Sequence, residues 1–156
     1  MRLNFVFIGK TGFPDLETAI GRYIDRLHHY LPTEVHVLKA ERLTAKSNSA
    51  LLMEREAERV LRLVEKQDRL IVWDQKGRQL DSSGLALMCE KFLNEGISNA
   101  WMVIGGPSGL SPKLIERAYA VLSLSRMTFP HDLARLMIAE QLYRAFTILR
   151  NEPYHK

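Results

Sequence analysis

The stretch that decides the fold is residues 100–112, AWMVIGGPSGLSP. Its first five residues are apolar and predict a buried β-strand, and Ser111 followed by Pro112 is typical of the cap and first turn of an α-helix. Three glycines lie between the two elements. A strand that passes through a glycine turn into a helix is typical of α/β proteins, which bind ligands beyond the carboxyl ends of their strands.

The same alternation of strand and helix continues through the whole chain. Short apolar runs predict five strands, at residues 3–8, 34–38, 70–73, 100–104 and 121–124. Apolar residues at helical spacing predict five helices, at residues 14–30, 50–66, 83–94, 111–119 and 131–150. The segment QKGRQLDSSG (75–84) is rich in turn-forming residues and is predicted to follow the end of the third strand. With no linker or internal repeat, this order predicts one α/β domain over residues 1–156 with a mostly parallel sheet.

Composition excludes several classes of protein. Hydrophobic residues are 46% and charged residues 26% of the chain, as in an average soluble globular protein. Cys89 is the single cysteine, which excludes an intramolecular disulfide and a cysteine-based metal cage, and its helical register with Leu85, Met88 and Phe92 predicts a buried thiol. No apolar run approaches the roughly 18 residues that span a bilayer, and no signal-peptide pattern opens the chain, so we expect a cytoplasmic protein without membrane contact.

The net charge of +4 is too small by itself to indicate a nucleic-acid-binding protein. Its distribution is more informative. Residues 1–104 contain 15 basic and 14 acidic side chains, whereas residues 105–156 contain 7 and 4. Three of the four excess charges therefore lie in the last third of the chain, either by chance or because that part faces an anionic partner.

The last predicted helix is apolar on most of its circumference. At 100° per residue one stripe faces a core, but Leu133, Leu136, Tyr143 and Ile148 lie on other sides. Such a helix must be covered on more than one side, and a second copy of the chain is the simplest cover in a protein of this size. We therefore predict a homodimer through this helix.

The candidate functional residues follow residue 104. The turn from Gly105 to Gly109 matches neither a Walker loop nor GxGxxG, so it is either a tight turn that needs positive φ or a place where backbone approaches a ligand. None of the five histidines forms an HxH or HExxH pair, so no metal is expected. His131 opens the last helix, either as a surface cap or as a titratable group beside the loop that follows the fifth strand.

Two further features of the C-terminal part have both a structural and a functional interpretation. Glu140 and Arg144 are one helical turn apart, a spacing that usually gives a solvated ion pair. The tail contains Tyr154 and His155, and such a tail is either frayed or supplies stacking and phosphate contacts to single-stranded RNA.

Three strings carry a specific resemblance to a known family: IGGPSGLSP (104–112), LSLSRMTFPHDLARLMIAEQLYRAF (122–146) and NEPYHK (151–156). On these strings the chain resembles the RlmH group of SPOUT-class methyltransferases, which methylate N3 of a pseudouridine in 23S ribosomal RNA. The resemblance covers essentially the whole chain, although before residue 100 it depends mainly on element order and on DQKG (74–77). It implies a SPOUT-type α/β sandwich whose C-terminal segment threads through an earlier loop as a trefoil knot, and it implies a homodimer.

The resemblance also implies where S-adenosylmethionine binds as the methyl donor. Its contacts fall on three loops, at the residues Trp73, Gly105, Leu124, Ser125, Arg126, Met127, Thr128 and Phe129. Trp73 stands where the family usually has leucine, so its backbone is a more secure contact than its side chain. We expect Arg126 to contribute backbone to the cofactor and charge to the RNA. No metal is needed, because a sulfonium is already activated for methyl transfer.

Two residues are the main candidates for the transfer step. Pseudouridine N3 carries a proton that a general base could remove, and His131 is the first candidate because it adjoins the cofactor loop and an imidazole exchanges protons near neutral pH. Arg144 could instead stabilise negative charge that develops on the uracil oxygens.

Four residues are secondary candidates. Tyr154 and His155, from the same or the partner subunit, would hold the base or its phosphate. Arg135 is expected to contact RNA, and Glu140 is expected to orient Arg144.

Three other functions stay open at this point. A non-catalytic ribosome-binding module would bind RNA without affinity for S-adenosylmethionine. A flavodoxin-like nucleotide binder would place its phosphate loop after the first strand, where GKTGF (9–13) has only two glycines. A SPOUT methyltransferase that acts on another RNA uridine, such as one in tRNA, is the most serious alternative.

Overall fold

The computed structural model describes residues 1–41, 48–106 and 109–155. Of residue 155 it describes the backbone and not the side chain. In these ranges strands and helices alternate as predicted. The elements are β1 (Arg2–Ile8), α1 (Pro14–His28), β2 (Thr33–Leu38), α2 (Ser49–Leu61), β3 (Arg69–Gln79), α3 (Ser82–Asn94), β4 (Asn99–Ile104), α4 (Pro112–Arg117), β5 (Ala120–Ser123), α5 (His131–Leu149) and a C-terminal 3-10 turn (Pro153–His155).

The five strands form one parallel sheet in the order β2-β1-β4-β3-β5. This confirms the predicted α/β architecture and places the carboxyl ends of β3, β4 and β5 side by side. The order differs from the 2-1-3-4-5 arrangement of flavodoxin-like proteins. The flavodoxin-like alternative is therefore wrong.

Helices cover both faces of the sheet. One face packs against α1, α3 and α5, and the other packs against α2 and α4. Because both faces are covered, the central strands are continuous apolar runs rather than alternating ones. The thiol of Cys89 lies inside the first of these layers, as predicted, and burial raises its pKa to about 12.

The last helix is covered by its own chain more fully than the sequence suggested. Helix α5 packs against both α1 and α3, with Tyr143 and Phe146 lying against Tyr30, two residues after the end of α1. Tyr143, one of the residues that we assigned to a partner, is therefore covered within its own chain, and Leu136 and Ile148 also pack partly against the same core. Leu133 and Leu136 are half-buried. The homodimer stays a prediction.

The third strand is longer than predicted. Residues 75–79, predicted to lie in a turn region, continue β3, and Arg78 and Gln79 pair with Leu122 and Ser123 of β5 after a shift in register. Composition alone could not show this extension, because its partner strand lies more than 40 residues further along the chain. The predicted knot, which concerns how the chain passes through this region, stays a prediction.

In the described part of the chain, no helix combines the length and the hydrophobicity needed to cross a bilayer.

Candidate functional site

A cavity of about 560 Å³ lies beyond the carboxyl ends of β3, β4 and β5. This is the edge at which parallel sheets bind ligands, and the volume is within the range of pockets for organic ligands and cofactors. Four segments form its walls: the end of β3, the glycine turn after β4, the loop after β5 and the first turns of α5. Helix α2 contributes Met53, and α4 contributes Ile115.

The structure brings together seven of the eight residues that the resemblance assigned to the cofactor. The cavity is lined by Trp73, Gly105, Leu124, Ser125, Met127, Thr128 and Phe129. The eighth residue, Arg126, is exposed on the same loop and does not line the cavity. Its charge is therefore available to a partner outside the cavity.

The structure confirms the first explanation that the sequence left open for the glycine turn, a tight turn that needs positive φ. The approach of its backbone to a ligand stays a prediction. Gly109 has a φ of 83°, in the left-handed region that favours glycine, and its N–H donates to the Gly106 carbonyl. Gly106 is needed for a different reason, because a Cβ built there would lie 3.2 Å from the Ile8 carbonyl oxygen. A side chain at Gly105 would crowd Leu110 in the same way, at 3.0 Å. Gly106 is thus packed closely against the end of β1.

The loop after β5 is fastened to the end of β3. The Thr128 hydroxyl donates to Oε1 of Gln75 at 3.0 Å, which joins two walls of the cavity. Within the loop, the Ser123 hydroxyl donates to the Ser125 carbonyl and the Met127 N–H donates to the Ser125 hydroxyl. Sequence reasoning missed Gln75, although it lies in the DQKG string that carried part of the resemblance.

His131 lies at the margin of the cavity, with a side chain that is 38% exposed. Its Nε2 atom is 3.3 Å from Oδ1 of Asp132, the next residue of α5. The Asp132 side chain is buried and accepts hydrogen bonds from the Gly12 N–H and from Arg135. Sequence reasoning missed Asp132. A carboxylate in the first turn of a helix by itself indicates only a favourable interaction with the helix dipole.

The prediction that Arg135 contacts RNA is wrong, because this side chain is 0% exposed. Its Nη2 donates to the Ile8 carbonyl at 2.8 Å, and its Nη1 donates to the Thr11 hydroxyl and to Asp132. The guanidinium carbon also lies 4.8 Å from the centre of the Phe7 ring. Burial lowers the pKa of Arg135, and the nearby Asp132 opposes that shift. Arg135 is an internal ion-pair residue that joins α5 to the end of β1.

A second group of candidate residues lies near the other end of α5. Arg144 donates from Nε and Nη2 to the same Glu140 carboxylate oxygen, at 3.0 and 2.6 Å. The Tyr154 hydroxyl donates to that oxygen at 3.1 Å, and the Arg144 guanidinium lies over the Tyr154 ring. The hydrogen bond to Glu140 raises the pKa of Arg144, and burial together with hydrogen bonds to Tyr23 and Glu140 raises the pKa of Tyr154.

This geometry has the form expected if Glu140 orients Arg144. It also shows that the tail is held against α5 rather than frayed at Tyr154. The backbone of His155 lies in the C-terminal 3-10 turn, and its side chain lies outside the described part of the structure. The catalytic roles of these residues stay predictions.

One chain does not bring the two groups together. His131 and Arg144 are 13 residues apart on α5, which corresponds to about 20 Å along the helix axis. The residues around the cavity, His131 among them, and the C-terminal group, which consists of Glu140, Arg144 and Tyr154, therefore cannot act on the same base within a single protomer.

The cavity wall is mainly apolar, with a few polar groups. Its titratable side chains are Asp74, Lys76 and His131. Within the described ranges, no group of three or more His, Cys, Asp and Glu residues could hold a metal ion. An apolar wall with a few placed polar groups is the usual composition of a pocket for an organic molecule.

Comparisons with known proteins match this chain over its full length. A family model described as "Predicted SPOUT methyltransferase" matches residues 1–155. A protein of Syntrophobacter fumaroxidans is 55% identical over 157 aligned positions that cover all of both chains. Proteins of Christiangramia forsetii and Halothermothrix orenii are 40% and 39% identical, with 99% and 100% of each chain covered. All three are named ribosomal RNA large subunit methyltransferase H. The chain belongs to the SPOUT methyltransferase family, in the RlmH group that contains these relatives.

Proposed function

We propose that this protein transfers a methyl group from S-adenosylmethionine to N3 of a pseudouridine in 23S ribosomal RNA. The observation that carries the proposal is the cavity at the carboxyl ends of β3, β4 and β5, which is built from the segments assigned to the cofactor. The relatives, aligned over the full chain, have names that specify large-subunit ribosomal RNA. The choice of pseudouridine N3 follows from the resemblance of the C-terminal strings.

The cavity fits S-adenosylmethionine in size and in chemistry. Trp73, Ile104 and Leu110 offer apolar surface to a purine ring. Gly105, Gly106 and Gly109 line the same cavity and offer backbone groups without side chains of their own. The Trp73 Nε1 atom is buried without a hydrogen-bond partner among the described residues, which leaves one donor unsatisfied in this wall. When bound here, S-adenosylmethionine supplies a methyl carbon on a positively charged sulfur.

The protein's contribution is to align the reacting atoms and to accept a proton. The Thr128–Gln75 hydrogen bond fixes the distance between two cavity walls, and holding reactants in line can supply several kcal/mol of a barrier. His131, partly exposed at the cavity margin, can meet a base that approaches from outside. It accepts the N3 proton while N3 forms its new bond.

The C-terminal group acts in the cavity of the partner subunit. A two-fold dimer that packs α5 against its symmetry mate places two copies of one surface against each other. If the helices run antiparallel, the Arg144 end of one helix lies beside the His131 end of the other. The half-buried residues Leu133 and Leu136 would contribute apolar surface to this interface. In this arrangement Arg144 and Tyr154 of one subunit hold the base whose proton the partner's His131 removes.

The substrate is the large subunit, which the protein recognises in the assembled ribosome through a structured RNA surface, because the net charge of +4 is modest for binding naked RNA. The excess charge of residues 105–156 is doubled in a dimer and gathered around one interface. Arg126 adds an exposed cation beside the cavity mouth. A ribosomal RNA substrate also places the protein in the cytoplasm, without a membrane partner.

The experiment uses ribosomes from a strain that lacks this gene. The purified protein is incubated with radiolabelled S-adenosylmethionine and either 70S ribosomes, naked 23S RNA or tRNA. We expect label in the 70S sample, and mass spectrometry of nuclease fragments locates one added methyl group on a pseudouridine. Methylation of tRNA alone would favour the alternative target. Ribosome binding without calorimetric affinity for S-adenosylmethionine would favour the non-catalytic module.

A further inference from the structure

We infer that Asp132 is a positioning residue for His131, which it holds with the proton on Nε2 so that Nδ1 is free to accept a proton. The inference rests on the proposed function, in which His131 removes the N3 proton. It assigns a role to a residue that the resemblance did not identify.

The Asp132 carboxylate is held at both oxygens. It is 3% exposed, and its Oδ2 accepts the Gly12 N–H at 2.7 Å. Its Oδ1 accepts Nη1 of Arg135 at 3.1 Å and lies 3.3 Å from Nε2 of His131. The carboxylate therefore faces the imidazole from a fixed position.

Arg135 and the loop after β1 make that position rigid. Arg135 is fully buried and is itself anchored by the Ile8 carbonyl and the Thr11 hydroxyl. Residues 9–13 thus hold the first turn of α5 in place through the hydrogen bonds of Thr11 and Gly12. A buried carboxylate needs such donors, because an unpaired charge in the interior is costly.

The chemistry of the two side chains selects the tautomer. A carboxylate can only accept hydrogen bonds, and a neutral imidazole has one N–H donor and one acceptor nitrogen. Nε2, which faces Asp132, is therefore the donor, and Nδ1 keeps its lone pair. The two atoms form an ion-pair contact at 3.3 Å that is not aligned as a hydrogen bond in this structure, and we expect the hydrogen bond to align and tighten when substrate binds.

The methyl transfer then needs no proton acceptor other than His131. The N3–H proton moves to Nδ1 as N3 bonds to the methyl carbon, and the electrons of the carbon–sulfur bond return to sulfur, which becomes a thioether. The imidazolium that forms carries its second N–H toward the negative charge of Asp132, which stabilises it.

Nitrogen-15 NMR of the histidine side chains tests the tautomer without any turnover. The His131 signals are assigned by their loss in His131→Gln. In the wild-type protein we expect His131 to have its neutral proton on Nε2, and in Asp132→Asn we expect a mixture of both tautomers. A wild-type His131 that is protonated on Nδ1, or that is a mixture of both tautomers, would overturn the inference, and this readout does not depend on whether the Asp132 variant folds.

A double-mutant cycle tests whether Asp132 acts through His131. We expect Asp132→Asn to lower kcat on ribosomes about tenfold to a hundredfold, with the KM for S-adenosylmethionine changed less than about threefold. In the His131→Gln background, Asp132→Asn should cost less than about twofold more. Independent, multiplicative losses would contradict the inference.

Asp15→Asn is the matched control, because Asp15 is an exposed carboxylate in the first turn of α1 and its change removes the same charge. We expect it to leave kcat within about twofold of the wild-type value. If the wild-type protein methylates no RNA, the proposed function fails, and the NMR measurement still decides the tautomer on its own.

Discussion

Gly77 in β3 lies directly against the backbone of Leu122 in β5: a Cβ built on Gly77 would lie 2.5 Å from the Leu122 carbonyl carbon. The register of the two strands shifts here, since Trp73 and Arg78 both pair with Leu122. The residues on either side of this contact form two walls of the cavity. The absence of a side chain at position 77 therefore sets the spacing between those walls.

The first prediction is that Gly77→Ala disrupts the cavity as well as the sheet. The added methyl group collides with backbone, which cannot rotate away as a side chain could. Overpacking of this kind lowers the free energy of unfolding by about 1–3 kcal/mol or more. We expect a lower melting temperature and at least tenfold weaker binding of S-adenosylmethionine by calorimetry.

Gly21→Ala is the control for this change. Gly21 lies within α1, and a Cβ built there meets no atom within 4 Å. Alanine is the better helix former, so this variant should gain about 0.5–1 kcal/mol and bind the cofactor normally. Normal stability and normal binding in Gly77→Ala would show that the strands can separate at Leu122 without consequence.

The fold was predictable where the signal is local. Apolar runs and helical spacing identify β1, β4 and α5 because each depends on neighbouring residues in the chain. The extension of β3 was not predictable, since residues 78 and 79 are ordered by strand β5. The same reason explains Arg135, whose partners Ile8 and Thr11 are more than 120 residues away in the sequence. An arginine is assigned to the surface by default, and only tertiary contacts reverse that assignment.

The candidate site was likewise predictable where the signal is local and not where it depends on contacts between distant segments. The position of the loops at the carboxyl ends of strands follows from a parallel sheet, and the resemblance supplied the individual cofactor residues. The Thr128–Gln75 bond and the Asp132–Gly12 bond join segments that are far apart in sequence, at separations of 53 and 120 residues. No spacing rule connects them.

A second prediction concerns Arg135. Arg135→Ala leaves the buried Asp132 without its compensating charge, and breaking a buried ion pair in this way costs about 3–5 kcal/mol. We expect a large drop in the urea midpoint, whereas Arg150→Ala, at an exposed arginine after the same helix, should leave it unchanged. Unchanged stability in Arg135→Ala combined with weaker ribosome binding would restore the RNA-contact role that its burial contradicts.

A third prediction concerns alkaline pH. The Tyr30 hydroxyl donates to Glu152 at 2.6 Å, and burial together with this carboxylate raises the pKa of Tyr30 above its ordinary value of about 10. The folded state then holds the phenol proton more tightly than the unfolded state. The resulting stabilisation is complete below about pH 10 and is lost as the pH rises from there toward the folded-state pKa.

Melting temperatures measured between about pH 9 and 12 should therefore fall more steeply for the wild-type protein than for Tyr30→Phe. Tyr154, whose pKa is raised in the same direction, should leave part of the slope in that variant. The double change of Tyr30 and Tyr154 to phenylalanine should flatten the curve further. Identical slopes in all three proteins would mean that these hydroxyls do not link proton binding to folding.

The fourth prediction follows from the distance of about 20 Å between His131 and Arg144 on one helix. If the partner subunit completes the site, His131→Gln and Arg144→Ala are each inactive as homodimers but restore one intact site when they form a heterodimer. Random pairing makes half of the dimers mixed, so the mixture should reach about a quarter of wild-type methylation. Mixing Arg144→Ala with Tyr154→Ala is the control, since both changes fall in the same group and leave no intact site. Native mass spectrometry that shows mixed dimers without recovered activity would rule out a site shared between subunits.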